Sequence, residues 1–159
     1  MADRNDIETF YRLHAGSVYG YLFSMCRDRG CAEDLMQETF IKATRALGGY
    51  RGGSPKAWLF SIARTVFLDD QRRSIRRPTS QLPDELVDRH QSDPVEQDAI
   101  ERALGSLPER QRTALLLADR VGLTGSELAE ALGTSDGAAR VLLHRARQGF
   151  RVAYEGDLT

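Results

Sequence analysis

The stretch Thr124-Gly125-Ser126-Glu127-Leu128-Ala129-Glu130-Ala131-Leu132-Gly133-Thr134-Ser135-Asp136-Gly137-Ala138-Ala139-Arg140-Val141-Leu142-Leu143-His144-Arg145-Ala146-Arg147 decides the fold. Thr124 and Glu127 have the spacing of a capping box, so a helix opens here. Gly133 ends it after barely two turns. Ser135 caps a second helix that is expected to run to about Val152. Two helices joined by so tight a turn cross closely, so the residue of the first that faces the second must be small. Ala129, four residues before Gly133, meets that need. Gly133 supplies the turn, where a positive φ is costly for any residue with a Cβ. Leu128, Leu132, Ala139 and either Leu142 or Leu143 form the expected inner face. The frame is that of a helix-turn-helix. Its outer face carries Ser135, Asp136, Arg140, Val141 and His144. Arg140 and His144, one turn apart, can donate to base acceptors in a major groove, while Arg145, Arg147 and Arg151 are suited to phosphates. A generic helical hairpin with a solvated basic face is the plainer alternative. It does not explain why small residue, glycine, spacing and cationic helix coincide.

Upstream, every strong periodic signal is also helical. Asn5 and Glu8 have capping-box spacing ahead of Ile7, Phe10, Tyr11, His14, Val18, Tyr21, Leu22 and Met25, which predicts one long helix ending near Asp28-Arg29-Gly30. A second runs from about Cys31 to Leu47 on Ala32, Leu35, Met36, Phe40, Ala43 and Leu47, and Gly48-Gly49 stops it. After the loop Gly48–Gly53, Ser54 caps and Pro55 opens a third helix carrying Trp58, Leu59, Ile62, Val66 and Leu68, which must end before Pro78. Residues 78–94 hold Pro78, Pro83 and Pro94, four acids and little periodicity. They read as a linker, with a short turn of helix around Asp84–Asp88. Asp93-Pro94-Val95-Glu96 then caps a helix closed by Gly105, and Pro108 starts another on Ala114, Leu115, Leu117 and Ala118. The expected fold class is all-α: two small helical domains, 1–77 and 95–159, joined by a flexible linker, 78–94.

Composition narrows the function classes. The chain has 159 residues, 12 of them aromatic (6 Phe, 5 Tyr, 1 Trp), so a large sandwich core is not expected. No apolar run approaches the ~18–20 residues that span a bilayer, and the polar start Met1–Asp6 lacks a signal-peptide core. Neither membrane insertion nor secretion is expected. Two cysteines, Cys26 and Cys31, are too few for a disulfide scaffold, and a reducing cytoplasm is the expected compartment. The thiols read as small buried side chains near a helix junction, with redox sensing as the sharper alternative. The net charge of −1 hides an uneven distribution. Residues 1–77 are net +4, 78–95 net −3 and 96–159 net −2. Arg64, Arg72, Arg73, Arg76 and Arg77 crowd together, and Arg140, Arg145, Arg147 and Arg151 lie in a stretch free of acids. Two basic surfaces on a near-neutral chain suit an anionic polymer touched at two places; two solvated helix faces would look the same.

Four motifs in order carry a resemblance: Ala32-Glu33-Asp34-Leu35-Met36-Gln37-Glu38-Thr39-Phe40; Ala57–Arg64 running into Leu68-Asp69-Asp70-Gln71-Arg72-Arg73; Leu107-Pro108-Glu109-Arg110-Gln111-Arg112; and Leu143-His144-Arg145-Ala146-Arg147. Together they resemble an extracytoplasmic-function sigma factor of bacterial RNA polymerase, over about residues 7–77 and 96–152. The resemblance implies a subunit that recognises −35 and −10 promoter elements and assists melting, without catalysis of its own. It implies that Asp34, Gln37, Glu38 and Lys42 dock on the clamp coiled coil of the polymerase core. Tyr50, Arg51, Gly52, Gly53, Ser54, Lys56, Trp58, Arg64, Thr65, Arg72 and Arg73 would capture the unpaired −10 strand. Ser135, Asp136, Arg140, Val141, His144, Arg145 and Arg147 would grip the −35 duplex. Glycines at 49, 52 and 53 let backbone approach a base, and Tyr50 and Trp58 offer stacking faces, although Trp58 on the apolar stripe could equally be core. The acidic linker would thread along basic polymerase surface, spanning up to about 55 Å. The polymerase flap and a possible anti-sigma factor complete the implied partners.

The chain departs from the family pattern in places. Thr65 stands where many relatives have Asn, and Ala138, Val141 and Leu142 replace Thr, Ser and Arg, so −35 contacts should lean on Arg140, His144 and Arg145 with more apolar or shape readout. A stand-alone helix-turn-helix regulator that binds DNA without polymerase is the alternative. An enzyme has little raw material: His14, His90 and His144 are scattered, Cys-x4-Cys is a poor zinc set, and no nucleophile triad or phosphate loop occurs. No cofactor, metal site or catalytic residue is expected, and with the chain stopping soon after the last helix, no added regulatory domain.

Overall fold

The computed structural model describes residues 4–50, 52–76 and 94–158, and among these every regular element is helical. Arg51, Arg77, the expected linker from 78 to 93 with its turn near 84–88, and the Asp93 cap lie outside the described residues. The chain divides into two compact units, Met1–Leu86 and Val87–Thr159. No helix among the described residues is long and apolar enough to cross a membrane.

The first unit packs α1 (Arg4–Cys26), α2 (Arg29–Ala46) and α3 (Pro55–Arg76) against one another, with a 3-10 turn, Leu47–Gly49, after α2. Two helix ends differ from the sequence reading. Asn5 lies inside α1, so it is not its cap. The α1–α2 junction falls earlier than Gly30. Arg27 turns left-handed at φ 56°, and Asp28 becomes extended and caps α2, its carboxylate accepting from the Cys31 amide at 3.0 Å. That carboxylate satisfies an amide the helix itself leaves open, which is why the chain breaks here without glycine or proline. At α3 the expectation holds: Ser54 Oγ accepts from the Ala57 amide at 3.1 Å, with Pro55 in the first position.

Val18, Tyr21, Leu22 and Met25 of α1 meet Leu35, Phe40 and Ala43 of α2 and Leu59, Phe60, Ala63, Val66 and Phe67 of α3 in the core. On α3 the buried face is turned from the expected stripe. Phe60, Ala63 and Phe67 are buried, while Trp58, Ile62 and Leu68 are only half-buried. The helix serves two partners, so its buried arc is wider than one stripe. Phe60 meets Tyr21 edge-on, with ring centroids 6.0 Å apart. Thr39, fully buried, donates from Oγ1 to the Leu35 carbonyl at 2.7 Å, which removes the cost of an orphaned hydroxyl.

In the second unit α7 (Asp136–Leu158) lies against α4 (Pro94–Gly105), α5 (Glu109–Leu115) and α6 (Gly125–Leu132). α7 runs past the expected Val152. The helix opened after Pro108 is not α-helical throughout: Leu116–Val121 widens into a π-helical turn that ends at left-handed Gly122, φ 89°. The widening accompanies three consecutive buried leucines, Leu115, Leu116 and Leu117. The Leu123 amide closes the turn on the Leu117 carbonyl at 2.9 Å.

Two expectations follow for the first unit, whose unfolding Trp58 reports as the single tryptophan. Phe60→Ala leaves a cavity beside Tyr21 and should cost about 3–5 kcal/mol in a urea titration followed by Trp58 emission. His14 is half-buried, edge-on to Phe10 at 4.6 Å. Burial lowers its pKa below the usual 6.5, and the Lys56 ammonium lowers it further. The folded state therefore holds fewer protons than the unfolded one as pH falls through 6.5, so acidification destabilises this unit. The urea midpoint should drop more between about pH 7.5 and 5.5 in the parent chain than in His14→Gln; equal drops would refute this.

Candidate nucleic-acid interfaces

α6 opens with both halves of the capping box made. Thr124 Oγ1 accepts from the Glu127 amide at 3.2 Å, and Glu127 accepts from the Thr124 amide at 3.0 Å. Gly133 closes it in the left-handed region, φ 66°, and the Thr134 amide reaches back to the Ala129 carbonyl at 2.9 Å. Ala129 is buried, as a close crossing requires. Ser135 Oγ then accepts from the Ala138 amide at 3.1 Å and starts α7. Ala139 and Ala146 are buried, and Leu142 and Leu143 are both half-buried. Ser135, Asp136, Arg140, Val141, His144 and Arg145 are all exposed on the opposite side, Val141 at 49%.

Arg147 differs from its neighbours. Its Nε donates to Asp119 Oδ2 at 3.0 Å and its guanidinium meets Asp119 Oδ1 at 2.6 Å. This bidentate pair ties α7 to the π-helical turn and holds the guanidinium above its usual pKa. Asp136 has a lesser tie, accepting from Ser126 Oγ at 3.5 Å. Nothing local in the sequence marks the Arg147–Asp119 pair, because its partners stand 28 positions apart.

In the first unit the acids and cations of α2 and α3 are interleaved. Lys42 pairs with Glu38 at 3.6 Å and with Asp69 at 3.7 Å. Arg73 reaches Glu38 at 3.5 Å, and Arg72 reaches Asp69 at 3.5 Å. Residues expected on separate polymerase and DNA surfaces thus share one ion-pair lattice. Asp34 and Gln37 stand exposed beside it. Asp69, which appears in the sequence only as part of the second motif and not among the expected site residues, is the lattice's second acid; its i, i+3 spacing to Arg72 is the signal that marks it.

The loop before α3 is closed on itself. Gly52 and Gly53 take left-handed φ of 97° and 85°. Tyr50 Oη donates to the Gly53 carbonyl at 2.8 Å, and its ring leans on Trp58 with centroids 5.2 Å apart. Trp58 is therefore half of a surface aromatic pair rather than part of the fully buried core. Lys56 and Arg64 are half-buried nearby in sequence. Thr65 is exposed, its hydroxyl donating to the Ser61 carbonyl at 3.0 Å. A cavity of about 470 Å³ is lined by Lys42, Arg45, Ala46, Ser61, Ile62 and Thr65; Arg45, Ser61 and Ile62 were not among the expected site residues. Among the described residues no three His, Cys, Asp or Glu side chains cluster to hold a metal.

Residues 10–77 match sigma-70 region 2, and residues 97–148 match sigma-70 region 4. The chain is 32% identical over 154 residues to the ECF RNA polymerase sigma factor SigM of Bacillus subtilis, covering 93% of this chain and 94% of that protein. It is 35% identical over 149 residues to the ECF RNA polymerase sigma factor SigE of Mycolicibacterium smegmatis, covering 88% of this chain and 58% of the relative's length. In fold it is similar to the sigma factor RpoE of Bartonella quintana, solved with the anti-sigma factor NepR, with a TM-score of 0.78 at 23% identity over 94% of this chain and 97% of that one.

The loop geometry makes a direct demand on residue 52. Gly52→Ala puts a Cβ at φ 97°, where no neighbour obstructs it but the backbone is strained, so the first unit should lose about 1–2 kcal/mol. Urea unfolding followed by Trp58 emission measures it, and an unchanged midpoint would contradict the loop conformation.

Proposed function

The chain belongs to the extracytoplasmic-function RNA polymerase sigma factors, and we propose that it binds the polymerase core and directs promoter-specific initiation through two helical units that act on separate promoter elements. In this reading residues 1–77 bind polymerase and the −10 element, 78–94 form the linker, and 95–159 bind the −35 element. Asp34 and Gln37, exposed on α2, face the clamp coiled coil, with Glu38 and Lys42 joining them by exchanging partners within the ion-pair lattice. The second unit meets the polymerase flap. The RpoE match is a complex with an anti-sigma factor, which supports such a partner here. The work is that of an initiation factor, done where polymerase is, in the cytoplasm, with no reaction of its own.

For the −10 strand, the Tyr50–Trp58 pair offers a stacking face, Gly52, Gly53 and Ser54 offer backbone, and the cavity edged by Thr65 takes an unpaired base. Lys56, Arg64, Arg72, Arg73 and Arg51 take phosphates. At −35, Arg140 and His144 read base edges, while Arg145 and Arg151 meet phosphates. Arg147 joins them only by leaving Asp119, so the reading does not depend on it.

The observation that carries the proposal is the two-sidedness of α7: Ala139 and Ala146 buried within a helix-turn-helix, Arg140, His144 and Arg145 exposed opposite. Run-off transcription with core polymerase and a promoter library tests it. Arg140→Ala should weaken the preferred −35 site by about 5- to 150-fold and relax choice at one position. Arg145→Ala should weaken all sites alike and lower the salt slope by about 1. If core polymerase starts no more selectively with the chain than without it, the proposal fails. If the chain alone binds the same sites equally well, a stand-alone regulator takes its place.

A further inference from the structure

Arg140, His144, Arg147 and Arg151 follow one another along α7 at steps of four, three and four residues. At about 100° per residue they share an arc of about 60°, so Arg147 stands on the same stripe as the two residues assigned to base edges. All four are exposed. Among the described residues, only Arg147 of the four pairs with an acid. That acid comes from elsewhere in the fold. In the π-helical turn Leu116–Val121, Leu116 and Leu117 are buried while Asp119 is exposed. Its two carboxylate oxygens accept from Arg147 Nε at 3.0 Å and Nη2 at 2.6 Å. An arginine holds a phosphate with the same fork. The two side chains are 53% and 44% exposed, so either can leave the other without stranding a buried charge.

We propose that Asp119 is a positioning residue for promoter binding: its carboxylate occupies Arg147 in place of a DNA phosphate and so limits how many phosphates α7 holds. The inference rests on the reading of α7 as the −35 helix. A phosphate contact is the same at every sequence. An arginine withheld from phosphate therefore lowers affinity for all sites while leaving the choice between them to Arg140 and His144. With that choice unchanged and affinity lowered throughout, fewer wrong sites are occupied at a given amount of protein. What Asp119 withholds is set by the strength of its own bond to Arg147. For an exposed pair that is about two- to fivefold in affinity. Asp119 and Arg147 also border a cavity of about 460 Å³, where Glu155 is the second acid in the lining. Glu155 carries the same charge as Asp119 but does not bond Arg147, which makes it the comparison that separates a specific competitor from net charge.

The test uses core polymerase carrying the full chain, and duplexes with the preferred and with altered −35 sequences. Dissociation constants are measured across a potassium chloride series. Asp119→Asn frees Arg147, so binding should tighten about two- to fivefold on preferred and altered sequences alike. The slope of log affinity against log salt should steepen by about 1, the signature of one added phosphate contact. In an Arg147→Ala background the same substitution should change neither quantity. Glu155→Gln should not steepen the slope. The proposal is overturned if Asp119→Asn weakens binding or leaves the slope unchanged, which makes the pair a clamp between the π-helical turn and α7. It is overturned if Arg147→Ala alone lowers the slope, because Arg147 then already holds a phosphate. It is also overturned if the gain persists in the Arg147→Ala background or is matched by Glu155→Gln. Arg140→Ala is measured alongside. If that variant too changes nothing, the −35 reading of α7 fails; if it weakens the preferred site while Asp119→Asn has no effect, only the present inference fails. Should Asp119→Asn lose helical circular dichroism, Asp119→Ser takes its place.

Discussion

Helix α7 has to lie against α4, α5 and α6 at once, and the positions it buries most deeply against them are small residues. Ala139 and Ala146 are buried. At Gly149 a Cβ would come within 2.9 Å of Leu107 Cδ2, closer than such atoms approach. The bulk at these contacts comes from the partners, Leu107, Leu128 and Leu132 among them. A helix built this way lets neighbouring backbones come close and makes few demands on its own outer face, which is left free for charge. Packing and binding thus use different residues of one helix. The eight-residue α6, too short to be stable alone, is held by its capping box, by left-handed Gly133 and by this contact.

The first unit solves a different problem. Its core is aromatic and aliphatic, and the charged residues of α2 and α3 lie outside it in one lattice. Exposed ion pairs contribute only about 0–1 kcal/mol each, so Phe60, Tyr21 and Leu59 hold the unit together and the lattice does not. The lattice decides which charges stand ready for a partner. Asp34 and Gln37 are open, whereas Glu38 and Lys42 already have company. Because each pair is weak, an incoming protein or phosphate can replace it at little cost. On the proposed reading, a set of exchangeable pairs leaves α2 and α3 able to serve neighbouring surfaces for two different partners.

What could be read from the sequence is what local chemistry dictates. The Thr124 box, the Gly133 turn, the Ser135 cap and the Ser54-Pro55 start are each decided within four residues, and each is found. The break between α1 and α2 falls before the expected stop at Gly30 because it rests on Arg27 in a conformation that arginine rarely adopts; Gly30, three residues later, is helical. The turn of the α3 face, the π-helical turn and the Arg147–Asp119 pair depend on elements distant in the chain, which periodicity cannot see. The aromatic residues Tyr50 and Trp58 were legible as candidates one by one. Their pairing was not, since it needs two left-handed glycines between them to bring the rings together.

Three of the four departures from the expected family pattern, Ala138, Val141 and Leu142, lie on α7, and the geometry there says what they change. Ala138 and Val141 are exposed, Val141 at 49%, while Leu142 is half-buried among the inner contacts. On the proposed reading, Leu142 is lost to the fold and the two exposed apolar groups lie among the cations. A methyl or isopropyl group cannot accept or donate a hydrogen bond, but it can pack against a thymine methyl. Hydrogen-bond readout then falls to Arg140 and His144, and the remaining discrimination comes from apolar contact and from the shape of the duplex. A surface with few hydrogen-bonding groups specifies fewer base pairs. Such a unit gains selectivity from being tethered to a second one, because two modest contacts held on one chain bind far more tightly together than either does alone.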